Sequence, residues 1–218
     1  RMYERIGLPF WCQTRVETVE IERLRLLKEI GCARLSFGLE HGNPEFRTKW
    51  LKRRMTNEMI VKNFGIVNEV GIPFSVNNII GFPHETRELA FDTVYLNREF
   101  ECNDRSAYVF TPFQGTPLRA ECDRLGFTQP DQIVQSSVPE RTALDMPQFP
   151  RSEVLGLVKT FNMYVHFDEV RWPEIRKAEG NSPEAKERYE ALKAEFVSTF
   201  WDEDDTTSFE EAATAFSM

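Results

Sequence analysis

Residues 74–86 read FSVNNIIGFPHET, and the rest of the chain is organised around this stretch. Its apolar first half predicts a buried strand, and Gly81-Phe82-Pro83 predicts a turn. Thr86 or His84 is a candidate cap for a helix that follows, because Glu85 and Glu88 suit a first helical turn. A strand, a turn and a helix form half of a βα unit, and α/β proteins place their ligands at the carboxyl ends of parallel strands.

Other segments repeat this pattern, which predicts an α/β fold. We expect further strands at 8–14, 33–39 and 106–110, and helices at 20–30, 56–70, 85–100 and 117–125. Strands that alternate with helices through short loops indicate a parallel sheet with right-handed crossovers. Because the strands are nearly continuous in apolar residues, we expect a sheet that is buried on both faces. A complete eight-stranded barrel needs about 250 residues, so the chain would hold only part of one.

The remaining residues predict three further regions after the βα units of residues 1–125. Residues 126–150 contain several prolines and little periodicity, which indicates an irregular connecting segment. Residues 151–201 show helical periodicity and should form a helical appendage packed on the sheet. Residues 202–218 are acidic and are interpreted as a solvated tail.

Composition excludes several function classes for these 218 residues. The 27 basic and 35 acidic residues give a net charge of −8, which argues against general affinity for nucleic-acid backbone. We see neither a membrane-spanning run nor a secretory segment, and we expect a cytoplasmic protein. Because the sequence begins with Arg1, we expect a piece of a longer protein. The cysteines are too far apart for a local zinc or cluster motif and are interpreted as reduced, mostly buried thiols: Cys12, Cys32, Cys102 and Cys122.

Polar side chains follow each predicted strand and should meet at one edge of the sheet. They are Arg15 and Glu17, then Glu40, His41 and Asn43, then Asn77, Asn78, His84 and Glu85, and finally Tyr108, Thr111 and Gln114. An arginine there suits a carboxylate or phosphate, and a carboxylate suits ribose hydroxyls or an ammonium group. Each has a structural alternative. Arg15 could pair with a nearby acid, Glu40 could be a turn residue, and Glu85 could complement the helix dipole.

The strand-end motifs together resemble the second half of a radical S-adenosylmethionine (SAM) core. They are PFWCQTR at 9–15, FGLEHGN at 37–43, IIGFPHET at 79–86 and FTPFQGTPL at 110–118. The stretch 161–179 also resembles the helical tail of the branch that carries a cobalamin-binding domain ahead of the radical core.

This resemblance implies the C-terminal part, about four βα units, of a partial (β/α)6 barrel that binds SAM across its open top. Glu40 would face the ribose or amino group of SAM, and Arg15 would face its carboxylate. The segment Ile79–Gly81 would flank the adenine together with Tyr108–Thr111.

The family's C-x-x-x-C-x-x-C loop, which holds a 4Fe-4S cluster, is absent from the sequence, as is a cobalamin domain. Both would lie upstream of Arg1, in the N-terminal half of the same protein. His41 stands where the family more often has serine.

The first hypothesis is therefore part of a radical SAM enzyme, with cobalamin as a possible second cofactor and methyl transfer or related C–H chemistry as the outcome. The full enzyme would cleave SAM reductively to a 5′-deoxyadenosyl radical, and the chain alone would be inactive. Its substrate is unknown from sequence. A degenerate, cluster-free scaffold or binding module is the alternative. A third hypothesis is an α/β enzyme that uses Glu40 and Glu85 as acid and base in one pocket.

Overall fold

The computed structural model describes residues 5–129, 131–134 and 143–200. Its strands are β1 (Phe10–Thr14), β2 (Cys32–Glu40), β3 (Phe74–Ile80) and β4 (Asp104–Val109). Its helices are α1 (Ile21–Glu29), α2 (Pro44–Trp50), α3 (Asn57–Val70), α4 (Arg87–Arg98), α5 (Pro117–Arg124), α6 (Arg151–His166), α7 (Trp172–Ala178) and α8 (Pro183–Phe200). Short 3-10 turns lie at Val16–Thr18 and Glu169–Arg171.

The four strands form one parallel sheet in the order β1-β2-β3-β4. Since each strand pairs with the next one in the chain, every connection returns to the same edge through a helix or longer crossover. The predicted α/β fold with a parallel sheet is confirmed. The carboxyl ends of all four strands consequently lie side by side.

The sheet has one buried face and one open face. Leu35, Phe37 and Leu39 alternate along β2 and are completely buried beneath the helices. The intervening Ser36 and Gly38 point to the other face and are only half-buried. The prediction of a sheet buried on both faces is wrong for this second face. There β2 and β3 carry Ser36, Gly38, Ser75 and Asn77, which are small or polar and only half-buried.

Sequence signals for helix ends operate as expected around the sheet. The Thr86 hydroxyl accepts the Leu89 N–H at 3.4 Å, so Thr86 and not His84 is the cap of α4. Gly71 ends α3 in the left-handed conformation at φ 71°. These ends set the length of the loops that lead into β3 and away from it.

The sequence analysis did not predict α2 and α7 as separate helices. At α2 the Asn43 side chain accepts the Phe46 N–H at 2.8 Å, and Pro44 occupies the first helical turn. Asn-Pro at a helix start is a recognisable signal.

The C-terminal helices pack against β4 and α4 and share one hydrophobic core with them. Arg98 of α4 donates from Nη1 to the carbonyls of Tyr164, Val165 and Phe167 at 2.8, 2.8 and 2.9 Å. Buried side chains of the connecting segment, including Leu144 and Phe149, join the same core. The predicted domain boundaries stay a prediction, and the predicted acidic tail, 202–218, lies outside the described residues.

Among the described residues, every helix is either too short or too polar to cross a membrane.

Candidate functional site

A cleft of about 970 Å³ opens at the carboxyl ends of the strands. Each strand end contributes to it, as do the loop after α2, the loop before α5 and one residue of α6. Its lining includes Gln13, Gly38, Glu40, Trp50, Lys52, Arg53, Asn77, Ile79, Phe82, Tyr108, Phe110, Thr111, Phe113, Leu118 and Val158. The position agrees with the general rule for ligand sites in parallel α/β sheets.

Glu40 is the acidic group that lines this cleft. It ends β2 with φ at 71°, a left-handed backbone that a non-glycine residue seldom adopts. Arg53 donates from Nη2 to Glu40 Oε1 at 3.0 Å and from Nη1 to the Gly38 carbonyl at 2.7 Å. A Cβ on Gly38 would lie 2.4 Å from Glu40 Oε1, so the carboxylate occupies space that only glycine leaves open. The chain therefore holds this carboxylate in one place.

The electrostatics of Glu40 reflect its burial. Burial raises the pKa of its carboxyl above the usual range, and the positive charges of Arg53 and Arg15 offset part of that rise. A buried carboxylate with one arginine partner keeps free acceptor positions. Such a group can accept hydrogen bonds from a ligand's hydroxyl or ammonium group.

Apolar and aromatic side chains form the opposite part of the cleft. Ile79 at the end of β3 and Phe82 in the following turn line it, together with Phe110. Tyr108 and Phe113 are 55% and 53% exposed although both are large and apolar in character. Phe110 is buried, whereas Phe113 stands at the open side of the cleft. A flat apolar group is the ligand such walls suit.

The structure brings four of the six predicted site residues to the cleft: Glu40, Ile79, Tyr108 and Thr111. Arg15 and Gly81 are not among the described residues that line it. Arg15 pairs with Glu17 and its side chain is 54% exposed, although it lies near enough to Glu40 to lower that group's pKa. Gly81 lies in the turn after β3, and its N–H donates to Glu85.

Glu85 does not share the cleft with Glu40. Its side chain is completely buried, and its Oε2 accepts the N–H groups of Gly81 and Phe82 at 2.5 and 2.9 Å. The hypothesis of an acid–base pair formed by Glu40 and Glu85 is therefore wrong. The helix-dipole interpretation also understates its contacts, because Glu85 fixes the turn ahead of α4.

Arg53 and Trp50 were missed as site residues by the sequence analysis. Trp50 ends α2, and Arg53 lies in the loop between α2 and α3, in a stretch rich in lysine and arginine. Trp50 stacks on His84 with 4.2 Å between ring centroids, and His84 in turn contacts Glu121 at 2.5 Å. A tryptophan among charged residues after a helix start was the available signal.

The described residues do not fit an iron–sulfur cluster. They contain no group of three His, Cys, Asp or Glu side chains that could hold a metal ion. Burial raises the pKa of Cys32 and Cys102 to about 11 and that of Cys122 to about 12. These thiols stay protonated at neutral pH, whereas a cluster is held by thiolates.

Part of the chain is similar to a known protein family. Residues 2–94 match the Radical SAM superfamily. This stretch is less than half of the 218 residues, so the match links the first part of the chain to that superfamily. The matched residues include β1 to β3 and most of α4, and so contain the Glu40 side of the cleft and its Ile79 wall.

Curated relatives match this chain over short stretches. A tRNA-2-methylthio-N(6)-dimethylallyladenosine synthase from Halalkalibacterium halodurans is 37% identical over 82 residues, which are 36% of this chain and 15% of the relative. An uncharacterized methyltransferase from Pyrococcus horikoshii is 25% identical over 115 residues, 53% of this chain and 25% of the relative. The chain thus spans a quarter or less of the length of these two relatives.

Solved structures of radical SAM enzymes share the fold. Coproporphyrinogen III oxidase from Escherichia coli matches 78% of this chain and 38% of its own, with a TM-score of 0.53 and 17% identity. The methyltransferase TsrM from Kitasatospora setae, solved with cobalamin and a [4Fe-4S] cluster, matches 86% and 45%, with a TM-score of 0.52 and 18% identity. The cobalamin-dependent enzyme OxsB matches 97% and 38%, with a TM-score of 0.51 and 11% identity.

Proposed function

We propose that this chain supplies the SAM-binding part of a radical SAM enzyme and that SAM lies in the cleft at the strand ends. The observation that carries the proposal is the Glu40 carboxylate, fixed by Arg53 above Gly38 and facing the cleft. The superfamily match includes this carboxylate and its arginine.

The cleft has a polar side and an apolar side, which suit different parts of the SAM molecule. Glu40 accepts hydrogen bonds from the ribose hydroxyls or the amino group, because Arg53 binds its Oε1 and no described arginine binds its other oxygen. Ile79, Tyr108 and Thr111 flank the adenine. Arg15 reaches the SAM carboxylate by turning away from Glu17, a movement that its exposed position permits at little cost.

When bound, SAM would supply a 5′-deoxyadenosyl radical after one-electron reduction. The thiolates for the cluster that delivers this electron are proposed to lie upstream of Arg1. The described residues would then bind and orient SAM, and would not cleave it alone.

The names of two relatives favour transfer of a methyl or methylthio group as the outcome. Cobalamin is proposed as a second cofactor held outside this chain, on the likeness to TsrM and OxsB. We leave the substrate open.

The test is SAM binding and cleavage by the full-length protein, purified without oxygen and reconstituted with iron and sulfide. Equilibrium dialysis with labelled SAM should show binding, a brown chromophore should appear, and 5′-deoxyadenosine should form after reduction. Glu40→Gln should weaken SAM binding about tenfold, since a charge-assisted hydrogen bond contributes roughly 1.5–3 kcal/mol. Glu45→Gln is the matched control, because Glu45 is exposed on α2 outside the cleft.

Two results would contradict the proposal in different ways. A reconstituted protein that binds SAM but never cleaves it would favour the degenerate binding module. A protein that binds no SAM at all would overturn the assignment of the cleft.

A further inference from the structure

A completely buried polar cluster lies directly behind the cleft. His41, Arg47 and Glu85 have no exposed side-chain surface. Buried charged and polar groups are costly unless each finds partners. Their contacts therefore show what the cluster holds in place.

Glu85 holds the turn at the end of β3. Its Oε2 accepts two consecutive backbone N–H groups, from Gly81 and Phe82. Gly81 has φ at 93°, a backbone conformation that favours a residue without a side chain. The N–H groups of this turn also need acceptors, which Glu85 provides. Phe82 lines the cleft, and Ile79 precedes the turn.

His41 holds the end of β2 and contacts Glu85. Its Nδ1 accepts the Asn43 N–H at 3.0 Å, which leaves the ring proton on Nε2. Nε2 lies 3.0 Å from Glu85 Oε1, a close polar contact that is not aligned as a hydrogen bond, and neither atom has a hydrogen-bond partner among the described residues. The ring stacks on Phe46 at 4.2 Å, and Arg47 donates to the His41 carbonyl at 2.7 Å.

We infer that His41 is a positioning residue that joins the ends of β2 and β3 through Glu85, so that Glu40 and the Ile79–Phe82 wall face one SAM molecule. Glu40 is the residue before His41, and the wall is carried by the turn that Glu85 fixes. The inference rests on the proposed function, because it concerns the same bound ligand.

The link matters for binding because the two strands recognise different parts of the ligand. The backbone pairing of β2 with β3 ends at Glu40 and Asn78, so His41 and the turn at Gly81 and Phe82 lie beyond this ladder and need a tie of their own. Displacements of about 1 Å at a binding site already cost affinity. His41 and Glu85 supply that tie across the buried side of the cleft.

The test compares His41→Leu with His41→Gln in the full-length protein. Leucine removes the polar atom that faces Glu85, whereas glutamine keeps a polar side-chain group near the position of Nε2. We expect His41→Leu to weaken SAM binding about tenfold, equivalent to ~1.4 kcal/mol, and His41→Gln to stay within about threefold of wild type. Affinity for adenosine, which has the adenine and ribose but lacks the methionine portion, should fall in parallel.

Tyr164→Phe is the matched control for loss of a buried hydrogen bond. Tyr164 donates to Glu179 at 2.6 Å in the C-terminal helices, and it does not line the cleft. It should lower the melting temperature without changing SAM affinity. A double-mutant cycle adds a measurement that a general loss of stability does not change. In the Glu40→Gln background, His41→Leu should lower SAM affinity only about threefold.

The outcomes separate the inference from the proposed function. If His41→Leu lowers the melting temperature but binds SAM within twofold of wild type, the inference is overturned and the SAM cleft stands. If wild type binds no SAM, both are overturned. If His41→Leu does not fold, Glu85→Asp takes its place, because the shorter side chain cannot reach both the turn and His41, and unchanged SAM affinity in that variant overturns the inference.

Discussion

Arg53 and Glu40 form an ion pair at the floor of the cleft, with 3.0 Å between Nη2 and Oε1. Their side chains are each 20% exposed, which places the pair between a solvated surface contact and a fully buried one. The same guanidinium also binds the Gly38 carbonyl. A single arginine from the loop after α2 thereby fixes both the end of β2 and the carboxylate that it carries.

Replacing Arg53 should release Glu40. We expect Arg53→Ala to weaken SAM binding by about tenfold or more, because the carboxylate loses its fixed position and a buried partner. Arg53→Lys should recover only part of this loss, since one ammonium group cannot reproduce the two-pronged contact. Equilibrium dialysis with labelled SAM measures both. Arg54→Ala is the control, because Arg54 is exposed and adjacent, and equal effects at the two positions would refute a specific role for Arg53.

Adding a single methyl group at Gly38 should displace the Glu40 carboxylate. Because the new Cβ would lie 2.4 Å from Oε1, the flexible end of Glu40 must move while the fold persists. We expect Gly38→Ala to reduce SAM affinity about tenfold with a change in stability of about 1 kcal/mol. Gly65→Ala is the control, since nothing lies within 4 Å of its Cβ position. It should leave binding intact and stabilise α3 by up to about 1 kcal/mol.

The raised pKa of Glu40 predicts that Glu40→Gln stabilises the protein at pH 7. The folded state holds the Glu40 proton more tightly than the unfolded state does. Its contribution to stability is therefore full below the usual carboxyl pKa and is lost as the pH rises through the raised value. Urea unfolding should show the variant more stable than wild type at pH 7, with the difference shrinking towards pH 4.

Glu58→Gln should change the stability at pH 7 in the opposite direction and serves as a comparison. Backbone and Thr56 hydrogen bonds at the start of α3 lower the pKa of Glu58. Its stabilising effect is present at neutral pH and is lost as the pH falls, so this variant should be slightly less stable than wild type at pH 7. If both variants shift stability in the same direction, the electrostatic account of Glu40 is incorrect.

His166 should make the C-terminal helices sensitive to acid. Burial lowers the pKa of His166 to about 4, and Arg105 and Arg98 add repulsion. The unfolded chain binds a proton near pH 6.5, so stability should fall between about pH 6.5 and 4, by at most ~1.4 kcal/mol per pH unit. His166→Gln should flatten this part of the profile of unfolding free energy. An unchanged slope would show that other groups cause the acid sensitivity.

Much of the cleft was predictable because short connections leave parallel strands few arrangements. Glu40, Ile79, Tyr108 and Thr111 each end or follow a strand, and the structure places all four at one edge. Arg15 also follows a strand, but the edge strand β1 leaves its side chain free to pair with Glu17. The sequence analysis did not predict the open face of the sheet, because it judged each strand by its total apolar content. The small and polar residues of β2 and β3 occupy alternate positions and therefore lie on the same face.

The alternation of strands and helices, a cap for α4 at Thr86 or His84, and the strand ends at which ligand groups gather all follow from the sequence alone. These follow from local periodicity and backbone preference, which act over a few residues. Only the tertiary structure decided that Arg53 pairs with Glu40, 13 residues away in the chain, and that His41 lies against Glu85. Such contacts depend on how loops and buried side chains fill the space between neighbouring strands. Periodicity carries no information about contacts between residues that are far apart in the chain.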